Sequence, residues 1–404
     1  MFWDWFWEYG IVILFYAVVI ILIYVNRKKF DFESKIIALY RTKIGLKLMD
    51  KIGRRHPKFI VGLASVGVWA GFLGMLFMVG FMIYGLHLLV FVPGAEPLFS
   101  PVLPGVQIPG SPIKLPLFGG LIALFAVVVI HEFSHGVVAR AFNIPVKNSG
   151  FVMFGPLPGA FVEPDEKKVD KSPRKTQLAI FAAGPWSNIL LSLVLFFVLI
   201  GTVNLGGTLY HTDGIVISGF LNQSDNLAGG RLSMLQKGDI ITGVDNLSVA
   251  SRYDMYIAME NKTPGETLVI TTNNGDKSVK LEKSADNESV PVFGITINQH
   301  TVGNSGVASV ISAPYFWLFG NPYDLDFMKR LGLIGLIYVL SLGIGVVNLL
   351  PIGPTDGGRM YLLALQKFFK KETAMKVWSK TAAVLVFVLI VLVFVPIIRN
   401  IFMI

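Results

Sequence analysis

The 404-residue chain has no cysteine, so disulfides are excluded and any metal centre must draw on nitrogen and oxygen donors. Charge is scarce as well: 15% of residues are Asp, Glu, Lys or Arg, against roughly 25% in soluble domains. With 53% hydrophobic residues and a mean hydropathy of +0.63, that scarcity excludes an ordinary soluble enzyme and implies an integral membrane protein. The first residues carry aromatics and acids (Asp4, Glu8) where a signal peptide has a basic stretch, so an uncleaved anchor is expected there.

The net charge of +9 is unevenly spread. Arg27, Lys28, Lys29, Lys35, Arg41, Lys43, Lys47, Lys51, Arg54, Arg55 and Lys58 crowd one segment between apolar runs. That is a positive-inside topology signal, and no nucleic-acid partner is expected. A hydrocarbon core of about 30 Å needs about 20 apolar residues. Candidate spans are 9–26, 59–92, 117–139, 178–203, 330–350 and 378–398. The second is long for one crossing, and Gly71, Gly74, Gly80 and Gly85 would permit a kink or re-entrant turn in it. Parity and the positive-inside rule put 27–58, 164–175 and 367–376 in the cytoplasm. Both termini, the proline-rich 93–116 loop and the polar 205–325 stretch then lie outside.

Within the run Leu121–Ile130, ten residues without a charge lead into His131-Glu132-Phe133-Ser134-His135. Ionisable groups at membrane depth are costly and mark a functional site. At i and i+4 the two histidines share a helical face and can grip one metal ion, leaving Glu132 free as a base. About 13 Å of helix separates His131 from Arg140, which sets the site inside the cytoplasmic leaflet. A catalytic zinc needs a third protein ligand. The first candidate is Asp356, in the segment Asn348 to Gly358 (NLLPIGPTDGG), where Pro351 and Pro354 interrupt the helix and glycines permit a tight turn around the acid. The competing candidate is Glu163, in a charged loop where carboxylates are cheaply solvated. Asn188 and Asn348, on otherwise apolar spans, either hold substrate or make interhelical hydrogen bonds.

The intramembrane HExxH, the distant N-x-x-P-x-x-x-x-D-G and Gly184-Pro185-x-x-Asn188 between them resemble the site-2 protease family of intramembrane zinc metalloproteases. The resemblance covers roughly 117–203 and 325–400. It implies one Zn2+ per chain held by His131, His135 and Asp356, with Glu132 as general base. It also implies that Asn188 and Asn348 hold the substrate strand. Gly353 and Thr355 depart from the bulkier or leucine residues common in the family.

Three further expectations follow. The apolar stretch 148–162, broken by Gly155, Pro156, Pro158 and Gly159, reads as a hairpin dipping into the cytoplasmic leaflet, with an edge strand able to pair with extended substrate. Between 211 and 300 the composition turns soluble. Leu268–Thr272 and Ser278–Leu281 flank the hairpin signature Asn273-Asn274-Gly275-Asp276, and Leu235–Asp245 resembles the Gly-Asp turn of PDZ domains. The aromatic stretch 315–323 suits a membrane-interface return. The expected protein is an α-helical polytopic membrane protein of about six transmembrane helices with an inserted α+β PDZ-like extracytoplasmic domain. Its segments are 1–58 (anchor and basic segment), 59–204 (HExxH helix and hairpin), 205–310 (PDZ-like) and 311–404 (Asp-Gly motif). The expected activity is zinc-dependent hydrolysis of peptide bonds in or near transmembrane segments of membrane proteins. The lipid bilayer, and a peptide or C-terminus on the PDZ-like domain, are the other expected partners. An ion-coupled transporter and a non-catalytic scaffold for transmembrane clients are the alternatives.

Overall fold

The computed structural model describes the chain except residues 1, 34–35, 93, 96, 110, 112–113, 221–234, 285–290, 304–305, 322–326 and 403–404. Pro93 and Pro112 of the proline-rich loop and Tyr323 of the aromatic stretch lie outside the described residues. In chain order the elements begin with α1 (Phe2–Val25), β1 (Asp31–Phe32), β2 (Ile37–Thr42), α2 (Leu46–Arg55), α3 (Pro57–Phe91) and α4 (Leu117–Ala141). Next come β3 (Val146–Phe154), β4 (Leu157–Pro164), α5 (Glu166–Lys171) and α6 (Arg174–Leu209). The polar stretch contains β5 (Tyr210–Phe220), β6 (Ile240–Val244), β7 (Leu247–Ser248), α7 (Arg252–Met259), β8 (Thr267–Thr272) and β9 (Gly275–Lys280). It continues with β10 (Glu282–Lys283), β11 (Pro291–Val292), β12 (Ile295–Gly303) and α8 (Gly306–Phe319). The chain closes with α9 (Phe327–Val347), α10 (Asp356–Phe368) and α11 (Lys371–Phe402). Two compact units result, 1–197 with 333–404, and 198–332.

Among the described residues, four helices are long and apolar enough to cross a membrane: Pro57–Phe91, Leu117–Ala141, Arg174–Gly206 and Lys371–Phe402. Tyr9–Val25 and Leu331–Val347 are shorter apolar helices. No re-entrant turn, which its glycines would permit, interrupts the second span. α3 runs as one 35-residue helix, about 52 Å at 1.5 Å per residue. Its glycines instead let neighbours come close. A Cβ on Gly67 would meet Trp186 Cγ at 2.8 Å, one on Gly71 would meet Met360 Cε at 2.7 Å, and one on Gly74 would strike Leu349. The helix end that carries Asp356 is thereby drawn against α3.

The basic segment holds more than a topology signal. β1 and β2 extend the β3–β4 hairpin into a four-stranded antiparallel sheet ordered β1-β2-β3-β4. Ile37, Ala38 and Leu39 pair with Phe154, Met153 and Val152. β4 is left as an edge strand. α2 packs on α4 through Gly53, where a Cβ would come within 2.9 Å of Arg140 Cβ, and through Asp50, whose Oδ1 lies 3.2 Å from Arg140 Nε. No helix forms among the described residues of 94–116.

In the second unit the main sheet follows β12-β5-β6-β8-β9, with β7 on β6. Ile215, Ile217, Ile241, Val244, Leu268, Ile270, Val279 and Leu281 form its buried core. The β8–β9 hairpin closes at Thr272 opposite Gly275, so Asn273 and Asn274 make the turn. The Gly-Asp turn precedes β6 as expected. Gly238 has φ +97°, and buried Asp239 accepts from the Gln236 N–H at 2.8 Å.

Candidate metal centre

α4 carries His131 and His135 one turn apart, both buried, with ring centroids 5.0 Å apart. Their Nδ1 atoms are engaged by the facing helix α6. His135 Nδ1 lies 2.7 Å from the Ile180 carbonyl oxygen, and His131 Nδ1 lies 3.1 Å from Asn188 Nδ2. Both Nε2 atoms therefore point into the same space. Pro185 lies within α6 and gives no N–H to the preceding turn, while Gly184 faces the imidazoles. A Cβ on Gly184 would run into Nε2 of both histidines and lie 2.6 Å from His131 Cδ2.

Asp356 reaches this space from α10. Its Oδ2 is 3.1 Å from His131 Nε2 and 3.4 Å from His135 Nε2. Thr355 is the N-cap, its Oγ1 accepting from Gly358 N–H at 3.1 Å, so Asp356 opens the helix at a fixed orientation. The departure from the family at Thr355 is thus a helix cap. Gly357 and Gly358 were expected to supply a tight turn, yet neither has a positive φ. They allow close approach instead: a Cβ on either would strike the backbone of Leu349 or Ile352, and Gly357 N–H donates to the Asn348 carbonyl at 2.8 Å.

Glu132 has a carboxylate oxygen within 4.8 Å of the histidine donor atoms. Its Oε2 accepts a hydrogen bond of 3.2 Å from Val162 N–H on the edge strand β4. Since successive backbone groups in a strand alternate sides, Val162 and Ala160 present their N–H and C=O away from β3. Pro158 and Pro164 share that side without a donor. The competing carboxylate, Glu163, is occupied elsewhere. It pairs with Arg41 at 2.9 Å and accepts from Asn148 Nδ2 at 2.8 Å. Burial pushes its pKa up, but the hydrogen bonds from Arg41 and Asn148 outweigh this and hold the carboxyl below its ordinary range. Asn348 is half-buried, and its carbonyl is taken by Gly357.

The three converging donors fit a zinc ion. On a tetrahedral zinc with bonds of about 2.0–2.1 Å, adjacent ligand atoms are about 3.3 Å apart. The Asp356–His131 and Asp356–His135 separations of 3.1 and 3.4 Å bracket that value. The glycine facing both Nε2 atoms leaves the volume free. The donor set, two imidazole nitrogens and one carboxylate oxygen, is that of a catalytic site with an open position. The positions of Gly184 and the Val162 N–H were not readable in the sequence, because both act through backbone geometry.

Comparison with known proteins bears on the same residues. The model of peptidase family M50 matches residues 119–393, about two thirds of the chain, and that range holds the HExxH helix and the Asp356 segment. The uncharacterized protein MJ0971 of Methanocaldococcus jannaschii is 30% identical, over 69% of this chain and 71% of its own length. Zinc metalloprotease RasP of Shouchella clausii is 26% identical over 48% of this chain and only 51% of the relative. A putative zinc metalloprotease of Fusobacterium nucleatum is 23% identical over 64% of this chain and 90% of the relative. A solved PDZ domain of the SdrC-like protein of Listeria monocytogenes is 27% identical, covering 21% of this chain and 87% of that domain with a TM-score of 0.18. With the two histidines of its HExxH buried and its match to the family model, this chain belongs to peptidase family M50, the site-2 protease family of zinc metalloendopeptidases.

Proposed function

We propose that this protein is an intramembrane zinc protease that cuts transmembrane segments of other membrane proteins near the cytoplasmic leaflet. The observation that carries the reading is that His131 Nε2 and His135 Nε2 of one helix each lie within 3.4 Å of Asp356 Oδ2, which comes from a helix more than 200 residues later in sequence. Family membership favours this over the transporter and scaffold alternatives.

His131, His135 and Asp356 hold the zinc, which when bound supplies Lewis-acid polarisation of the scissile carbonyl and an acidified water. Glu132 takes the proton of the attacking water on its carboxylate and returns it to the leaving amine. Half-buried Asn348 is available to the substrate backbone. The edge of β4, which no other described strand pairs, supports strand pairing, because a substrate strand bonded to Ala160 and Val162 passes directly beside Glu132. Pairing holds the substrate extended, which a peptide bond inside a helix requires before attack. The substrate's strand also takes the Val162 N–H, releasing Glu132 from that bond.

The basic segment and the charged 164–175 loop support a cytoplasmic placement for that end of the bundle. The unit 198–332, with its buried sheet and its Gly-Asp turn, supports a PDZ-like extracytoplasmic domain that binds an extended peptide or C-terminus. A Glu132→Gln variant tests the reading. It should bind zinc as the wild type does and cut no transmembrane substrate; cleavage at the wild-type rate would end the proposal.

A further inference from the structure

We propose that Asn188 is a positioning residue that sets the tautomer of His131, acting through its carbonyl oxygen and not through its amide nitrogen. This rests on the zinc reading above.

The two imidazoles are oriented by different means. His135 Nδ1 faces the Ile180 backbone carbonyl at 2.7 Å, an oxygen that can only accept. Its hydrogen is therefore on Nδ1, and Nε2 keeps a lone pair for the metal. His131 Nδ1 faces a carboxamide, which presents either a donor or an acceptor. With Nδ2 at 3.1 Å from Nδ1, the ring must accept there and carry its hydrogen on Nε2, where it meets Asp356 Oδ2 at 3.1 Å. In that arrangement His131 has no lone pair to offer, and Asn188 Oδ1 is buried without a hydrogen-bond partner. Turning the amide over restores the missing lone pair, and Nδ2 takes the place that Oδ1 held. Oδ1 then accepts from Nδ1–H, and the Nε2 lone pair faces the space shared with His135 and Asp356.

Asn188 is suited to this work because it is fully buried and held by α9. Its backbone carbonyl accepts from Ser341 Oγ at 2.9 Å, and its Cβ is 3.0 Å from where a Cβ on Gly345 would stand. Its side chain is directed at the metal-bearing helix, so its contribution passes through His131. Outer partners of this kind commonly alter metal affinity by about 10–100-fold.

The test compares Asn188→Leu, which removes the acceptor, with Asn188→Asp, which keeps an acceptor and lacks a donor. Zn2+ and Co2+ affinities are measured by chelator competition on the purified full-length protein in detergent. The d–d spectrum of the Co2+ form reports the ligand set, and thermal unfolding of the metal-free proteins confirms that each variant folds. Asn188→Leu should weaken binding about 10–100-fold and perturb the spectrum, while Asn188→Asp stays within a few-fold of the wild type. Wild-type affinity in Asn188→Leu overturns the proposal, even if substrate cleavage falls, since that pattern belongs to a substrate-holding side chain. Equal loss in both variants also overturns it. If the wild type itself bound no Zn2+ or Co2+, the zinc reading would fail first, and the two failures are distinguishable.

Discussion

Gly184→Ala adds one methyl group in the space on which the zinc reading depends. A Cβ at that position runs into Nε2 of His131 and of His135 at once. Non-bonded atoms settle near 3.5–4.0 Å, so each imidazole must retreat by about 1 Å to make room. Zinc sites tolerate about 0.2 Å in their bond lengths, so a retreat of that size takes both nitrogens out of bonding range. The loss should exceed the 10–100-fold typical of outer partners, which makes it at least 100-fold, or about 2.8 kcal/mol of binding free energy. Alanine is a better helix former than glycine by up to about 1 kcal/mol, so α6 itself should not be weakened. The assay is zinc content after dialysis against a graded chelator series, with thermal unfolding of the metal-free protein as control. A folded Gly184→Ala protein that retains zinc with wild-type affinity would refute the reasoning.

The β4 edge gives a second prediction. Ala160→Pro removes an outward N–H without removing a β3 bond, so it should lower cleavage of a transmembrane substrate about tenfold, the worth of one hydrogen bond, with zinc content unchanged. Gly357→Ala would drive a Cβ into the Leu349 backbone; it should cost about 1–3 kcal/mol of stability and reduce zinc content, read by thermal unfolding and metal analysis. Glu163 bears on pH. Because its folded-state pKa is depressed below the ordinary 4.5, its stabilising contribution is present above that pH and is lost as pH falls through the lower folded value. The stability difference between wild type and Glu163→Gln should therefore be constant above about pH 4.5 and shrink below it, with zinc binding at neutral pH unaffected. Loss of zinc from Glu163→Gln would instead favour Glu163 as a ligand.

The legible parts were those written in side-chain pattern. Apolar runs announced the helices, and His131 and His135 at i, i+4 announced a shared face. Pro351 and Pro354 before Asp356 announced a broken helix, and the new helix that follows opens with the acid beside the two histidines. What escaped was set by close backbone approach. Gly71 and Gly74 read as flexible points because a glycine's neighbours are unknown until Met360 and Leu349 are placed beside it. Strands β1 and β2 escaped because the charge of the segment obscured the short run Ile37–Tyr40, and because its partner, β3, lies more than 100 residues away. Gly357 and Gly358 were rightly singled out, but for a turn; the reason they are glycine is the backbone of Leu349 and Ile352.

The most direct measurement is the zinc-to-protein ratio of purified wild type and Asp356→Ala. Wild type should hold one zinc per chain, and Asp356→Ala should lose it at chelator concentrations the wild type withstands. An Asp356→Ala protein that is folded and keeps its zinc as tightly as wild type would contradict the claim that His131, His135 and Asp356 close on a single ion.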